Sequence, residues 1–466
     1  MTYAEFLARK SLGFQGVGID CEPSDVSEEL FEFQRQMVAW AVRKGCAAIW
    51  ADTGLGKTRM QVEWARIVTA DGGRALILAP LAVASQTVEE AERIGVDVTY
   101  VRDQAEADRT PSRIVITNYD RLHLIDPGAY RAVVLDESSI LKSFSGSTKR
   151  ALVHGFDATH YRLSCSATPA PNDIQELCNH ADFLGVMSPQ EMRSTFFIAD
   201  NRGEFMRYRL KGHAKDAFYR WMSSWAIACR TPSDLGYDDD GYILPPLSID
   251  SVIVDTDWVP EDVLFTAKLE GITQRSQVRK ATLEQRVQAA VELVAGEPDE
   301  QWLLWCGLND EADALTAAIP DAVQVAGSDD SEVKSARLSD FAHGRIRVLV
   351  TKPSIAGMGL NFQTCARMAF VGLSDSYEAY YQAIRRCYRF GQTRPVHAWV
   401  VLSAPESTIY NNVLDKERIA QETSRGLVAA VADHNRSELF AGTSKGDNYE
   451  PTLTPPMPAF LEVCNV

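Results

Sequence analysis

The residues Asp52-Thr53-Gly54-Leu55-Gly56-Lys57-Thr58 bring two glycines, a lysine and a hydroxyl together at a spacing suited to holding phosphate. Glycine lets the backbone turn tightly and aim its N–H groups at phosphate oxygens beside the positive end of a helix. Lys57 would reach the β- and γ-phosphates of a nucleoside triphosphate, and the Thr58 hydroxyl would ligate Mg²⁺. Ala51 stands where the general pattern has its first glycine. A second pair of candidates, Asp136 and Glu137, closes the apolar run Val133-Val134-Leu135. Asp136 would hold Mg²⁺ through water, and Glu137 would orient and polarise the attacking water. A third set, Gln382, Arg386 and Arg389, falls at i, i+4 and i+7 and so shares one helical face. Its arginines lie among Ile384, Cys387, Tyr388 and Phe390, and a buried guanidinium calls for an anion such as a triphosphate. Gln34, with a donor and an acceptor on one amide, suits the edge of adenine.

These groups need rigid elements to hold them. The apolar run Ala47–Trp50 leads into the glycine loop, and Arg59 to Ala70 follows it with good helix formers. Further short runs, Ala75–Leu78, Arg113–Thr117, Ala132–Leu135 and Arg162–Ser164, are nearly continuous in apolar residues, as strands covered on both faces should be. A second series follows at Trp302–Trp305, Ala322–Val325, Ile346–Thr351, Met368–Val371 and Val396–Leu402. The expected fold class is α/β, with two parallel-sheet domains in tandem. Between the series, His213 to Arg230 and Glu270 to Leu293 read as helical, while Pro245-Pro246 stops regular structure. The segment Ser166-Ala167-Thr168-Pro169 ends a predicted strand. Its hydroxyls are placed either to link the hydrolysis site to a neighbouring surface or only to shape a turn.

The expected divisions are a 1–28 extension, a 29–185 nucleotide-binding domain, a 186–290 helical insertion and linker, a 291–425 second domain and a 426–466 tail rich in Gly, Ser, Thr and Pro. Of the 466 residues 45% are hydrophobic and 24% charged, as in an ordinary globular protein. No apolar run is long enough to span a bilayer, and Met1 to Glu5 carries no basic-then-apolar signal, so the expected location is the cytoplasm. Nine cysteines without a Cys-x-x-Cys pair argue for reduced thiols and against a zinc site. A net charge of −16 argues weakly against nucleic acid, because a channel needs only local positive potential. Two basic stretches could supply it: Arg202, Arg207, Arg209, Lys211, Lys215 and Arg220, and Arg275, Arg279, Lys280 and Arg286.

In order along the chain, these residues resemble the motif series of superfamily 2 helicases, and within it the SWI/SNF-type DNA translocases in their compact bacterial and phage form. The resemblance runs from Leu30 to Leu402. It implies two RecA-like domains, ATP and Mg²⁺ as ligands, and nucleotide contacts by Gln34, Thr53, Gly54, Leu55, Gly56, Lys57, Thr58 and Gly359. It makes Lys57, Asp136, Glu137, Gln382, Arg386 and Arg389 the catalytic set, with Arg389 as arginine finger and Arg386 as a second phosphate contact. It places nucleic-acid contacts at Pro80, Thr117, Asn118, Lys352 and Asn361. The ending Arg389-Phe390-Gly391-Gln392 is similar to that of the DNA-acting branch, so DNA, duplex by preference, is the implied partner. Ser139 stands where a His or Asp usually ends the acidic motif, so coupling to Ser166–Pro169 would use a different hydrogen bond. No histone-reading module fits the remaining residues, which leaves room for protein partners that supply targeting. The competing readings are an RNA helicase of the same superfamily, the motor subunit of a restriction, defence or replication assembly, and a binding module that has lost hydrolysis.

Overall fold

The apolar runs become strands because each side of the sheet they form is covered. Strand β1, Cys46–Ala51, is buried along its whole length. It sends Ala47, Ile49 and Ala51 into one core and Ala48 and Trp50 into the other, so no position is left for a polar residue. The protein is described here from a computed structural model, covering residues 14, 16–142, 146–170, 174–200, 207–256, 278–356, 361–373 and 376–440.

Strands β2 (Ala75–Ala79), β3 (Val98–Tyr100), β4 (Ile114–Asn118), β5 (Ala132–Leu135) and β6 (Tyr161–Cys165) join β1 in the first sheet. Strands β7 (Phe197–Asp200) and β8 (Arg207–Leu210) form a separate antiparallel hairpin. Strand β9, Ala226–Cys229, returns to the first sheet, whose order is β3-β4-β2-β5-β6-β1-β9. Strands β10 (Leu247–Val254), β11 (Trp302–Trp305), β12 (Ala322–Gln324), β13 (Val348–Thr351), β14 (Arg367–Phe370) and β15 (Val396–Ser403) make the second sheet, in the order β10-β15-β14-β11-β13-β12. Every pairing within the two large sheets is parallel. The molecule is therefore α/β with two RecA-like domains in tandem.

The region 186–290 departs from the helical insertion expected of it. Helices occupy Pro189–Phe196, Lys215–Ser223 and the start of Leu283–Gly296 among its described residues, and the rest of the predicted His213–Arg230 helix includes β9. Ala48 pairs with Ala226 and Ala51 with Cys229, so the open edge of β1 captures an apolar run that local periodicity assigned to a helix. Strand β10 starts directly after Pro245-Pro246 and has no fully buried position, as suits the edge strand of its sheet. Residues 270–277 of the predicted Glu270–Leu293 helix lie outside the described residues, and a described helix spans Leu283–Gly296.

The tail also differs, because Ser407–Phe440 is one helix, so the expected boundary at 426 falls inside a continuous element. Leu427, Val428 and Val431 join the core around Trp221 and Trp225, and Arg436 donates to the carbonyls of Ser233 and Asp234 at 3.0 Å. A helix that leaves the second domain is thus held by apolar contacts to the first. Residues 441–466 lie outside the described set. Among the described residues no helix is long and apolar enough to cross a membrane.

The second basic stretch is a correction. Arg286 is fully buried, 2.7 Å from Glu311, and Glu406 sits 3.6 Å from its Nε. Arg279 faces the same Glu406 at 3.4 Å, and Arg275 lies outside the described residues. These arginines close an internal ion cluster where β14 ends, because two buried carboxylates would otherwise be unpaired. Lys280 remains beside this cluster on the chain.

Candidate active site

The glycine loop follows β1 and caps the helix Lys57–Val68. Gly54 and Gly56 both have positive φ, 88° and 78°. A Cβ on Gly56 would stand 2.2 Å from Gln34 Nε2, and one on Gly54 would stand 3.0 Å from the Phe390 backbone nitrogen. Conformation and close approach therefore both require glycine here. Leu55 is buried at the loop's centre, and Thr53 donates its N–H to Asp52 at 2.7 Å. Lys57 Nζ donates to the carbonyls of Ala51 at 2.7 Å and Asp52 at 3.1 Å, at the mouth of the loop.

Gln34 lies against this loop rather than on the surface. Its Nε2 donates to Leu55 O at 2.9 Å, and its Oε1 accepts from Phe31 N at 3.0 Å. Beside it, rings from three distant segments meet: Tyr242 and Phe390 at 4.8 Å, and Phe31 at 5.8 Å from Tyr242. Nothing in the local sequence around Tyr242 marks it for this place.

The acidic pair sits at the end of β5. Asp136 Oδ1 accepts from Gln61 Nε2 at 2.7 Å, and Asp136 O accepts from the Tyr119 hydroxyl at 2.6 Å. Gln61 comes one turn after Lys57 on the same helix, a spacing that could have pointed to it. Glu137 has φ of 51°, alone among the described non-glycine residues in being positive. Burial, and then the neighbouring Asp136 charge, push its carboxyl up to about 7, with Lys57 and Arg386 opposing. Burial also raises Asp136, against the Gln61 hydrogen bond and Lys57. Glu137 Oε2 has no hydrogen-bond partner. Two crowded carboxylates with so little compensation fit a divalent cation.

From the second domain, the helix Tyr377–Ile384 and the turn after it supply the arginines. Arg386 donates to Gln382 Oε1 at 2.9 Å and to Gln382 O at 3.2 Å. Burial lowers Arg386 to about 10, with Glu137 opposing, and burial plus Arg386 lower Arg389 to about 9. Neighbouring guanidiniums held this far down mark a place where an anion would be stabilised. Arg389 donates to Asn361, so Asn361, expected at nucleic acid, here orients the candidate finger.

The same helix bridges the domains. Tyr381 donates to Asp52 Oδ1 at 2.8 Å, and Arg385 Nη2 donates to Asp52 Oδ2 at 3.3 Å. Burial would raise the Asp52 carboxyl, but Arg385, the Tyr381 hydroxyl and Thr53 N–H hold it below its ordinary value. Ser139 donates to Glu378 Oε1 at 3.0 Å, and Lys142 pairs with the same carboxylate.

The domains enclose a cleft of about 1140 Å³ lined by Lys57, Thr58, Asp136, Glu137, Gln382, Arg386 and Arg389. Pro80, Asn118 and Lys352 line it too. Asn118 also caps the turn at Arg121 N, 3.1 Å away, while Thr117 is fully buried with an unpartnered hydroxyl. Thr117, expected at nucleic acid, sits here in β4 with its side chain buried. Gly359 lies outside the described residues. In the first basic stretch, Lys211 donates to the carbonyls of Ser194 and Thr195, and Phe218, Trp221 and Trp225 are core.

Comparison with known proteins finds two helicase family models on this chain. Residues 31–177 match the model of the DEAD/DEAH box helicases, and residues 285–391 match that of the helicase conserved C-terminal domain. Together the matches span more than half of the chain. No curated protein matches. Among solved structures, the chain is similar to the Sulfolobus solfataricus SWI2/SNF2 ATPase core in complex with dsDNA, at 17% identity and a TM-score of 0.42, over 90% of this chain and 99% of that one. The two matched models fall on the two sheets that carry the acidic pair and the paired arginines, and the chain belongs to the superfamily 2 helicases as an ATP-hydrolysing enzyme.

Proposed function

We propose that the protein is a DNA translocase that converts ATP hydrolysis in the interdomain cleft into movement along duplex DNA. One observation carries this reading: Lys57 and Glu137 on the first domain face Arg386 and Arg389 on the second across a single cleft. ATP bound there would join the domains, because the arginines reach the γ-phosphate only when the cleft is closed. Hydrolysis would remove the joint, and two domains holding one strand would then step along it. The working units are residues 29–185 extended by β9, and 291–425 extended by β10.

Each residue has a part in this scheme. Gln34 and the rings of Phe31, Tyr242 and Phe390 frame the base, and the loop from Thr53 to Thr58 cradles the phosphates. Mg²⁺, held by Thr58 and through water by Asp136, would screen the phosphate charge. Among the described residues no cluster of three or more His, Cys, Asp or Glu is placed to hold a metal alone, which suits an ion that takes its other ligands from phosphate and water. Glu137 orients and polarises the attacking water, and Arg389 stabilises the charge that develops on the phosphoryl group. DNA is preferred as partner because the Arg389–Gln392 ending resembles the DNA-acting branch. In this chain Gln392 fixes that turn by donating to Cys365 O at 3.0 Å, so the ending also places the finger.

The deciding measurement is ATP turnover with duplex DNA, single-stranded DNA and RNA at one salt concentration. Duplex stimulation without strand separation supports the proposal. Stimulation by RNA alone would assign the chain to the RNA-acting branch.

A further inference from the structure

The acidic pair is followed by a turn, Ser138–Lys142, that is tied into the first domain by a helix belonging to none of the motifs. Ser138 comes directly after Glu137, whose left-handed backbone persists only if its surroundings over-determine it. The Ser138 hydroxyl lies 3.0 Å from that of Ser164 at the end of β6. Ser164 Oγ in turn lies 2.8 Å from His180 Nδ1, on the helix Leu177–Phe183. His180 Nε2 reaches Pro169 O at 2.9 Å, in the Ser166–Pro169 loop. All three side chains are fully buried.

The chemistry of the partners sets the direction of the bonds at His180. A carbonyl can only accept, so His180 carries its proton on Nε2 and leaves Nδ1 as acceptor. Ser164 is then placed to donate to Nδ1, and its oxygen lies 3.0 Å from the Ser138 hydroxyl oxygen, which joins the turn to the same contact. The bonds at His180 run from Ser164 to Nδ1 and on through Nε2–H to Pro169, with Ser138 joined at the Ser164 hydroxyl. Burial pushes the imidazole down to about 4, so it is neutral under working conditions and the direction does not reverse. Trp50 on β1 packs against the imidazole in a T-shaped contact, with ring centroids 5.5 Å apart. The residue before His180 clamps the far end of the same turn, because Asn179 Nδ2 donates to Leu141 O at 2.7 Å. Between the two anchors lies Ser139, which donates to Glu378 of the second domain.

We propose that Ser138, Ser164 and His180 form a positioning relay that locks the turn after the acidic pair to the Ser166–Pro169 loop and so keeps Glu137 in its hydrolytic pose. These are positioning residues that act through Glu137. The relay supplies the link that Ser139 cannot make toward that loop, since its hydroxyl is directed to the second domain. The inference deepens the proposed mechanism and rests on it only in the role given to Glu137.

Turnover of ATP without DNA is the readout, measured as kcat and KM for Ser164→Ala, Ser138→Ala, His180→Phe and His180→Asn. Loss of the relay lowers kcat by about tenfold in Ser164→Ala and in His180→Phe, with KM within about twofold of wild type. The two histidine variants separate positioning from packing. Asparagine keeps an acceptor near the place of Nδ1 but leaves a void, whereas phenylalanine fills the space and accepts nothing. A relay ranks His180→Asn above His180→Phe in kcat, and a packing role ranks them the other way. A kcat for Ser164→Ala within twofold of wild type, or His180→Phe at least as active as His180→Asn, overturns the proposal. Should either position fail to fold when altered, Ser138→Ala carries the same test, with the same tenfold fall expected and the same twofold result overturning it. Lack of DNA stimulation in the wild-type protein would overturn the DNA reading alone, because the relay is read from basal turnover.

Discussion

Tyr381 of the second domain donates to Asp52 of the phosphate loop at 2.8 Å, so the helix that delivers the arginines is also fastened to the loop they must face. Arg385 joins the same carboxylate, and Glu378, one turn earlier, takes Ser139 and Lys142. One helical face thus registers the second domain against both halves of the first domain's site.

Arg385→Ala should loosen this register, because it leaves a desolvated carboxylate without its charged partner. The expected result is a KM for ATP raised about tenfold, with a larger separation between labels placed on the two domains. Asp52→Asn should be milder, since it removes the charge together with the need for a partner. Equal KM values in Arg385→Ala and wild type would show that the clasp has no part in closure.

Arg389→Ala should keep nucleotide binding and lose about a thousandfold in turnover, as expected when a guanidinium acts only on the developing charge. Lys57→Ala should abolish turnover. Direct nucleotide titration beside steady-state kinetics distinguishes the two. Normal turnover in Arg389→Ala would remove the second domain from the active site.

Arg286→Met should destabilise the second domain by about 3–5 kcal/mol, because it strands Glu311 in the core and leaves Glu406 with Arg279 alone. Replacing Glu311 as well, with leucine, should return part of that loss. The check is thermal unfolding of the single and double variants, and an unchanged Tm in the single variant would contradict a buried ion cluster.

His180 makes stability depend on pH in a stated direction. Its ordinary value is 6.5 and its folded value about 4, so between these the unfolded chain binds a proton that the folded chain does not. Its contribution is complete above 6.5 and is lost as pH falls toward 4. Going from pH 7 to pH 5 should remove about 2 kcal/mol, and His180→Phe should flatten that difference. Denaturant unfolding of both proteins at the two pH values measures it.

The sequence by itself determined the chemistry and most of the sheets. The loop at 52–58 and the pair at Asp136 and Glu137 need neighbours within a few residues, so spacing alone reveals them. The continuous apolar strands were legible for the same reason, since burial on both faces leaves its mark on every residue. Tertiary structure decided whatever depends on a distant partner. Ala226–Cys229 is a strand because β1 offers it an edge, and Arg286 is buried because Glu311 and Glu406 wait for it. Tyr242 reaches Phe31 and Phe390, Tyr381 reaches Asp52, and His180 reaches Ser164, each by a contact that local propensity cannot encode. A hydrogen bond or an ion pair has a short range in space and none along the chain, so the groups that aim the candidate catalytic residues became visible only when the two sheets were in place.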